Sequence, residues 1–282
     1  MTSGLSPEKV SQLFLDACLA ELDALKPGNV HRFADGHGMS VADFEKSAAA
    51  AAPAMGDAGL DLGARIEQAV AATQVAVGQN TNLGIILLAA PLAQAALAPL
   101  PGNLHARLRA VLDSLTVEDA RAAYRAIRTA EPGGLGNAPA HDVAGEPDVT
   151  LLEAMSAAET KDRIAWNYTH GFVDIFDLGL KWLEGGRRRW GSVHWVTTYV
   201  YLGFLAHIPD TLIERKFGSE AASEVRDEAR PIEAGLSQCA APQDMAAPLH
   251  AFDASLKERG LNPGTSADLT VATLFAAALQ GL

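Results

Sequence analysis

Apolar positions recur at intervals of three and four through most of the chain and nowhere alternate with period two between turn signals, which predicts helices and no sheet. Ser6-Pro7 supplies an N-cap and a first-turn proline. Val10, Leu13, Phe14, Ala17, Cys18, Leu22 and Leu25 then share one apolar face. Ser40 and Asp43 have the spacing of a capping box ahead of Phe44, Ala48 and Ala51, and residues 61–77 read as a third helix. Residues 83–100 are almost wholly apolar, with Pro91, Gln94 and Pro99 as interruptions. That stretch barely reaches bilayer length and lacks charged flanks, so it predicts a central helix packed among others.

Further boxes at Thr116/Asp119 and Thr150/Glu153 start two more helices. The second is expected to run on through Glu159, Asp162, Tyr168, His170, Asp174 and Asp177 until Gly185-Gly186 breaks it, with Arg187–Arg189 as a C-terminal cap or a phosphate contact. Residues 192–207 form an aromatic helix, and 226–243 are polar without a clear element. A final apolar helix, 269–279, is expected to be capped by Thr265 or Ser266, with Asp268 in its first turn. Ala and Leu dominate, β-branched residues are sparse, and no repeat or linker is evident. The expected architecture is all-α: one domain, 1–282, a multi-helix bundle whose ligand site is assembled from helix ends.

The formal charge of -12 excludes broad nucleic-acid or membrane-surface binding. Two cysteines provide no disulfide framework, and Met1–Lys9 has no signal-peptide core, so a cytoplasmic protein is expected.

Candidate chemistry sits at the breaks. Lys26-Pro-Gly28-Asn29-Val-His31-Arg32 delivers cations into a turn where Pro27 and Gly28 stop a helix, as an anion seat or as a solvated helix end. Gly78-Gln-Asn80-Thr81-Asn82-Leu-Gly84 places amides and a hydroxyl before the most apolar helix, more than capping alone requires. The loop 131–148 contains Gly133-Gly-Leu-Gly136, which is neither a P-loop nor a dinucleotide fingerprint but has the length of a lid. Asp210 has the place of an N-cap, with Arg215 and Lys216 following. Glu159 with Asp162, and Asp174 with Asp177, are carboxylate pairs that suit Mg²⁺ or simply a solvated acidic face.

Four segments, KPGNVHR (26–32), NTNLG (80–84), DTLIERKFG (210–218) and NPGTSADL (262–269), together resemble the triphosphoribosyl-dephospho-CoA synthase family. The resemblance spans nearly the whole chain and implies an all-helical enzyme. Its reaction moves the triphosphoribosyl part of ATP to the 2′-hydroxyl of dephospho-CoA and releases adenine. It implies nucleotide and phosphate binding by Lys26, Gly28, Asn29, His31, Arg32, Asn80, Thr81, Asn82, Gly84, Arg215, Lys216 and Ser266. Asp210 and Asp268 become the leading catalytic and Mg²⁺-binding carboxylates, with Glu159 and Asp162 behind them. Where the family has His-Lys after Asn-Thr, this chain has Asn82-Leu83; His31 replaces an Asp and Leu212 an Asn. These departures, Gly134-Leu-Gly136 and the 162–176 segment resemble a divergent archaeal and methylotroph branch tied to one-carbon cofactors of the tetrahydromethanopterin and methanofuran type. The resemblance leaves the acceptor open between dephospho-CoA and a related cofactor precursor, and leaves a homodimer open. Other nucleotide-dependent transfer or ligation, and a non-catalytic helical binding protein of that pathway, are the competing readings.

Overall fold

A computed structural model describes residues 5–133 and 141–282. Among the described residues there are fourteen α-helices and no strand, only two isolated bridges in the 31–39 turn. In chain order the helices are α1 (Pro7–Leu22), α2 (Val41–Gly56), α3 (Leu62–Val77), α4 (Leu83–Leu97), α5 (Leu104–Asp113), α6 (Val117–Ala130), α7 (Leu151–Ala158), α8 (Arg163–Thr169), α9 (Leu180–Arg189), α10 (Val193–His207), α11 (Thr211–Phe217), α12 (Ser219–Gln238), α13 (Ala246–Glu258) and α14 (Gly264–Leu279). A single π-helical stretch, Asp174–Gly179, leads into α9.

The expected caps form where the local spacing demands them. Ser6 accepts from Lys9, and reciprocal capping boxes close at Ser40/Asp43, Thr116/Asp119 and Thr150/Glu153. The most apolar segment, α4, runs through the core: Ile86, Leu88, Ala89, Ala90, Leu92 and Ala93 are fully buried. It packs against α1, α3, α5 and α14, and no helix among the described residues is long and apolar enough to cross a membrane. Pro91 has no N–H to give the Leu87 carbonyl one turn back, and the buried Tyr168 hydroxyl donates to that carbonyl at 2.7 Å instead. α14 is buried almost throughout and packs on α1, α4 and α10, with Phe275 edge-on to Phe14 at 5.8 Å.

Several expected boundaries move. The stretch after Thr150 is not one helix: α7 ends at Glu159, Asp162 caps the separate α8, and His170 closes α8. Glu159 and Asp162 therefore do not share a helical face. Gly185-Gly186 does not break α9, because α10 packs along it and stabilises the turn. The polar 226–243 region lies largely in α12. α14 begins five residues before the apolar run, so Thr265 and Ser266 lie inside its first turn, and neither is its cap. Of the glycine cluster, Gly134-Leu-Gly136 lies outside the described residues.

Candidate active site

A cavity of about 810 Å³ opens where the first turns of α4 and α14 meet α11, the α7–α8 junction and the end of α6. The four segments singled out in the sequence come together around it.

At the start of α4, each polar residue has its own task. Asn80 Oδ1 accepts from the Leu83 N–H at 3.1 Å, Thr81 Oγ1 donates to Ser47 at 2.5 Å, and Asn82 Nδ2 donates to Thr73 at 3.1 Å. The cap thus fastens α4 to α2 and α3. The next two N–H groups, of Gly84 and Ile85, line the cavity and have no acceptor among the described residues, as expected of a helix N-terminus that faces a ligand.

Asp268 lines the same wall from α14. Its carboxylate lies against Gly84 so closely that a Cβ there would come within 2.0 Å of Oδ2. Burial, and then the negative charges of Asp210, Glu21 and Asp162, push Asp268 well above the usual carboxylate range, while Arg215 opposes them. Its carboxylate accepts no hydrogen bond among the described residues.

Asp210 is placed differently from the expectation. Oδ1 accepts from the Leu212 and Ile213 N–H groups at 3.0 and 3.2 Å, and Oδ2 accepts from the Ser266 N–H and hydroxyl at 2.8 and 2.9 Å. All four lone-pair positions of the carboxylate are taken, and it does not line the cavity. It caps α11 and ties it to α14, so a second carboxylate sharing a metal with Asp268 is not what this geometry provides. A Thr211–Thr265 hydroxyl contact at 3.1 Å reinforces the joint.

The 26–32 turn also differs. Lys26 is fully buried and donates to Glu21, with Asn29 at 3.2 Å. His31 is buried against Asp253 at 3.3 Å, and Arg32 lies outside the cavity, pairing with Asp23 and Glu45 on the surface. The turn therefore shows the cavity an amide and no cation: Asn29 lines it and donates to Asn262 at 2.8 Å. Gly28 has φ +82°, and a Cβ there would meet Pro263 at 2.8 Å, so the turn docks on the segment leading into α14.

Among the described residues, the Lys and Arg side chains that line the cavity are Arg215 and Lys216 of α11 and Lys161 of the α7–α8 junction. Asp162 is committed twice, capping α8 through the Ile164 and Ala165 N–H groups at 2.8 and 3.2 Å and accepting from Arg215. Glu159 does not line the cavity. Among the described residues, no three His, Cys, Asp or Glu side chains are grouped to hold a metal. Sequence reasoning passed over Glu21 and Lys161, and gave Asn262 and Thr265 of the NPGTSADL segment no ligand role; all four lie in the cavity wall. Lys161 adjoins the Asp162 already noted, but Glu21 looks like one more polar position in an amphipathic helix.

No curated protein matches the chain. A solved structure from Archaeoglobus fulgidus, carrying a provisional triphosphoribosyl-dephospho-CoA synthase name, shares the fold with a TM-score of 0.64 and 24% identity over 83% of this chain and 98% of that one. The family model described as CitG, ATP:dephospho-CoA triphosphoribosyl transferase, matches residues 7–282, and with the four segments converging on one cavity the chain belongs to that family.

Proposed function

We propose that the cavity is where the triphosphoribosyl group of ATP passes to the 2′-hydroxyl of dephospho-CoA, in one domain spanning 1–282, with adenine as the second product. Family membership supports both substrates. The observation that carries the site assignment is the Asp268 carboxyl, which accepts no hydrogen bond among the described residues and is set against the open N-terminus of α4 in a cavity lined by Lys161, Arg215 and Lys216.

Breaking the bond between ribose C1′ and adenine N9 passes through an oxocarbenium-like transition state, and the departing base needs a proton. A carboxyl that burial and neighbouring negative charges hold well above its usual range favours its protonated form and suits that task. Lys161, Arg215 and Lys216 face the triphosphate, and the Gly84 and Ile85 N–H groups take phosphate oxygens. Asn29, Asn80 and Asn262 orient the sugar and base. Asp210, Ser266, Gly28 and His31 hold the walls in place.

Among the described residues no side chains form a Mg²⁺ cage: Asp210 is saturated, and Asp162 is committed to Arg215 and α8. Mg²⁺ fits this site as a companion of the triphosphate, held by phosphate oxygens and water, as is usual for that ion. A cytoplasmic location agrees with Cys18 and Cys239 both being free thiols.

The test is a chromatographic assay of ATP and dephospho-CoA with the purified protein. One adenine released per dephospho-CoA consumed supports the reading, and ATP consumption yielding ADP or AMP without adenine refutes it.

A further inference from the structure

Glu21, in the last turn of α1, lines the same cavity and is only 3% exposed. Lys26, across the helix end and fully buried, donates to Glu21 Oε1 and reaches Asn29 Oδ1 at 3.2 Å. The other Glu21 oxygen accepts no hydrogen bond among the described residues. A buried ion pair rarely returns more than its desolvation takes, and apolar residues of similar volume serve a core as well. The pair therefore calls for a reason other than stability, and its position in the cavity wall offers one.

The charged and titratable groups around Glu21 are Lys26, Asp268 from α14, Tyr201 from α10 and Cys18 on its own helix. Burial raises Glu21 and lowers Lys26, and the charge of each partner opposes the shift of the other; Asp268 has no such cation bonded to it and is raised further by Glu21 itself. Two carboxyls of one cavity thus stand in contrasting environments, an arrangement that separates an acid from a base.

We propose that Glu21 is a second catalytic carboxylate of the transfer, taking the proton of the attacking hydroxyl, and that Lys26 is the positioning counter-ion that keeps it ionised. This rests on the transferase reading above. The C1′–N9 bond breaks with its electron pair going to adenine, which takes the Asp268 proton. The acceptor oxygen bonds to C1′, and its proton goes to Glu21. Water then returns that proton from Glu21 to Asp268, so the net change is transfer of one proton from hydroxyl to adenine.

The test follows adenine release against pH in full-length wild type, Glu21→Gln, Lys26→Met and the double variant. Glu21→Gln is expected to lower kcat by roughly 10²–10⁴-fold with KM for ATP nearly unchanged. Lys26→Met is expected to move the acidic limb of kcat/KM to higher pH, with activity returning as pH rises, because Glu21 loses its cation. The double variant, uncharged and of similar volume, is expected to match Glu21→Gln, and it replaces that variant where the lone buried lysine prevents folding. Glu21→Gln or the double variant keeping a third or more of wild-type kcat overturns the proposal, as does Lys26→Met lowering the rate equally at every pH. Wild type releasing no adenine overturns the transferase reading, and this proposal with it.

Discussion

The Asp268 carboxylate occupies the space a side chain at position 84 would need: a Cβ on Gly84 would stand 2.0 Å from Oδ2 and 2.5 Å from Cγ. The glycine of the NTNLG segment is thus explained by a carboxylate 184 residues later in sequence. Gly84→Ala is expected to push that carboxylate out of place and lower kcat by at least about 10²-fold, since small misplacements at a reacting centre are costly. Helical content is expected to stay, because α4 tolerates alanine. Circular dichroism beside the adenine assay checks this, and an unimpaired Gly84→Ala enzyme would dissociate Asp268 from the chemistry.

Asp268→Asn is expected to stabilise the fold while disabling it. The folded carboxyl ionises at higher pH than the unfolded one, so wild type loses stability as pH rises above about 4 until the folded group ionises. Asparagine lacks that loss. The variant's Tm should equal wild type near pH 3–4 and exceed it by a few °C at neutral pH, on the order expected for a chain of this size. Thermal scans across pH check the sign; a variant less stable at pH 7 than wild type would contradict it.

Phosphate affinity is expected to reside in α11 and the α7–α8 junction and not in the 26–32 turn. Arg215→Gln, Lys216→Gln and Lys161→Gln each remove a cavity cation, and a lost charged hydrogen bond corresponds to roughly 10-fold in Kd. Arg32→Gln, outside the cavity and 47% exposed, is expected to change ATP affinity by less than about twofold. Isothermal titration of the four variants distinguishes the two locations.

Asp210→Ala removes the cap of α11 and leaves the Ser266 N–H and hydroxyl without their acceptor. A destabilisation of about 2–4 kcal/mol is expected from the lost cap and the orphaned donors together. Urea unfolding measures it. A loss of activity without a lower midpoint would give Asp210 a direct role that its four hydrogen bonds argue against.

What the sequence made legible was local. The boxes at Ser40/Asp43, Thr116/Asp119 and Thr150/Glu153 involve partners three residues apart, and the apolar faces of α1 and α4 follow from spacing alone. What it hid was tertiary. Lys26 and Arg32 read alike as cations at a helix end, yet one is buried against Glu21 and the other pairs on the surface; α13 and the segment leading into α14 pack on the turn at Gly28, between the two. Asp210 and Asp268 read alike as motif acids. They differ because Ser266, two residues before Asp268, turns its donors to Asp210, and among the described residues Asp268 receives none. The helix break at 159–162 left no glycine or proline to mark it; Asp162 itself makes the break by capping α8.

The most direct test is adenine release from ATP by wild type and Asp268→Asn, side by side, with and without dephospho-CoA. Wild type is expected to release adenine stoichiometrically with a triphosphoribosylated acceptor seen by mass spectrometry. Folded Asp268→Asn is expected to be at least about 10²-fold slower with ATP affinity retained. Wild-type and Asp268→Asn rates that are equal, or a wild type that consumes ATP without freeing adenine, would contradict the account.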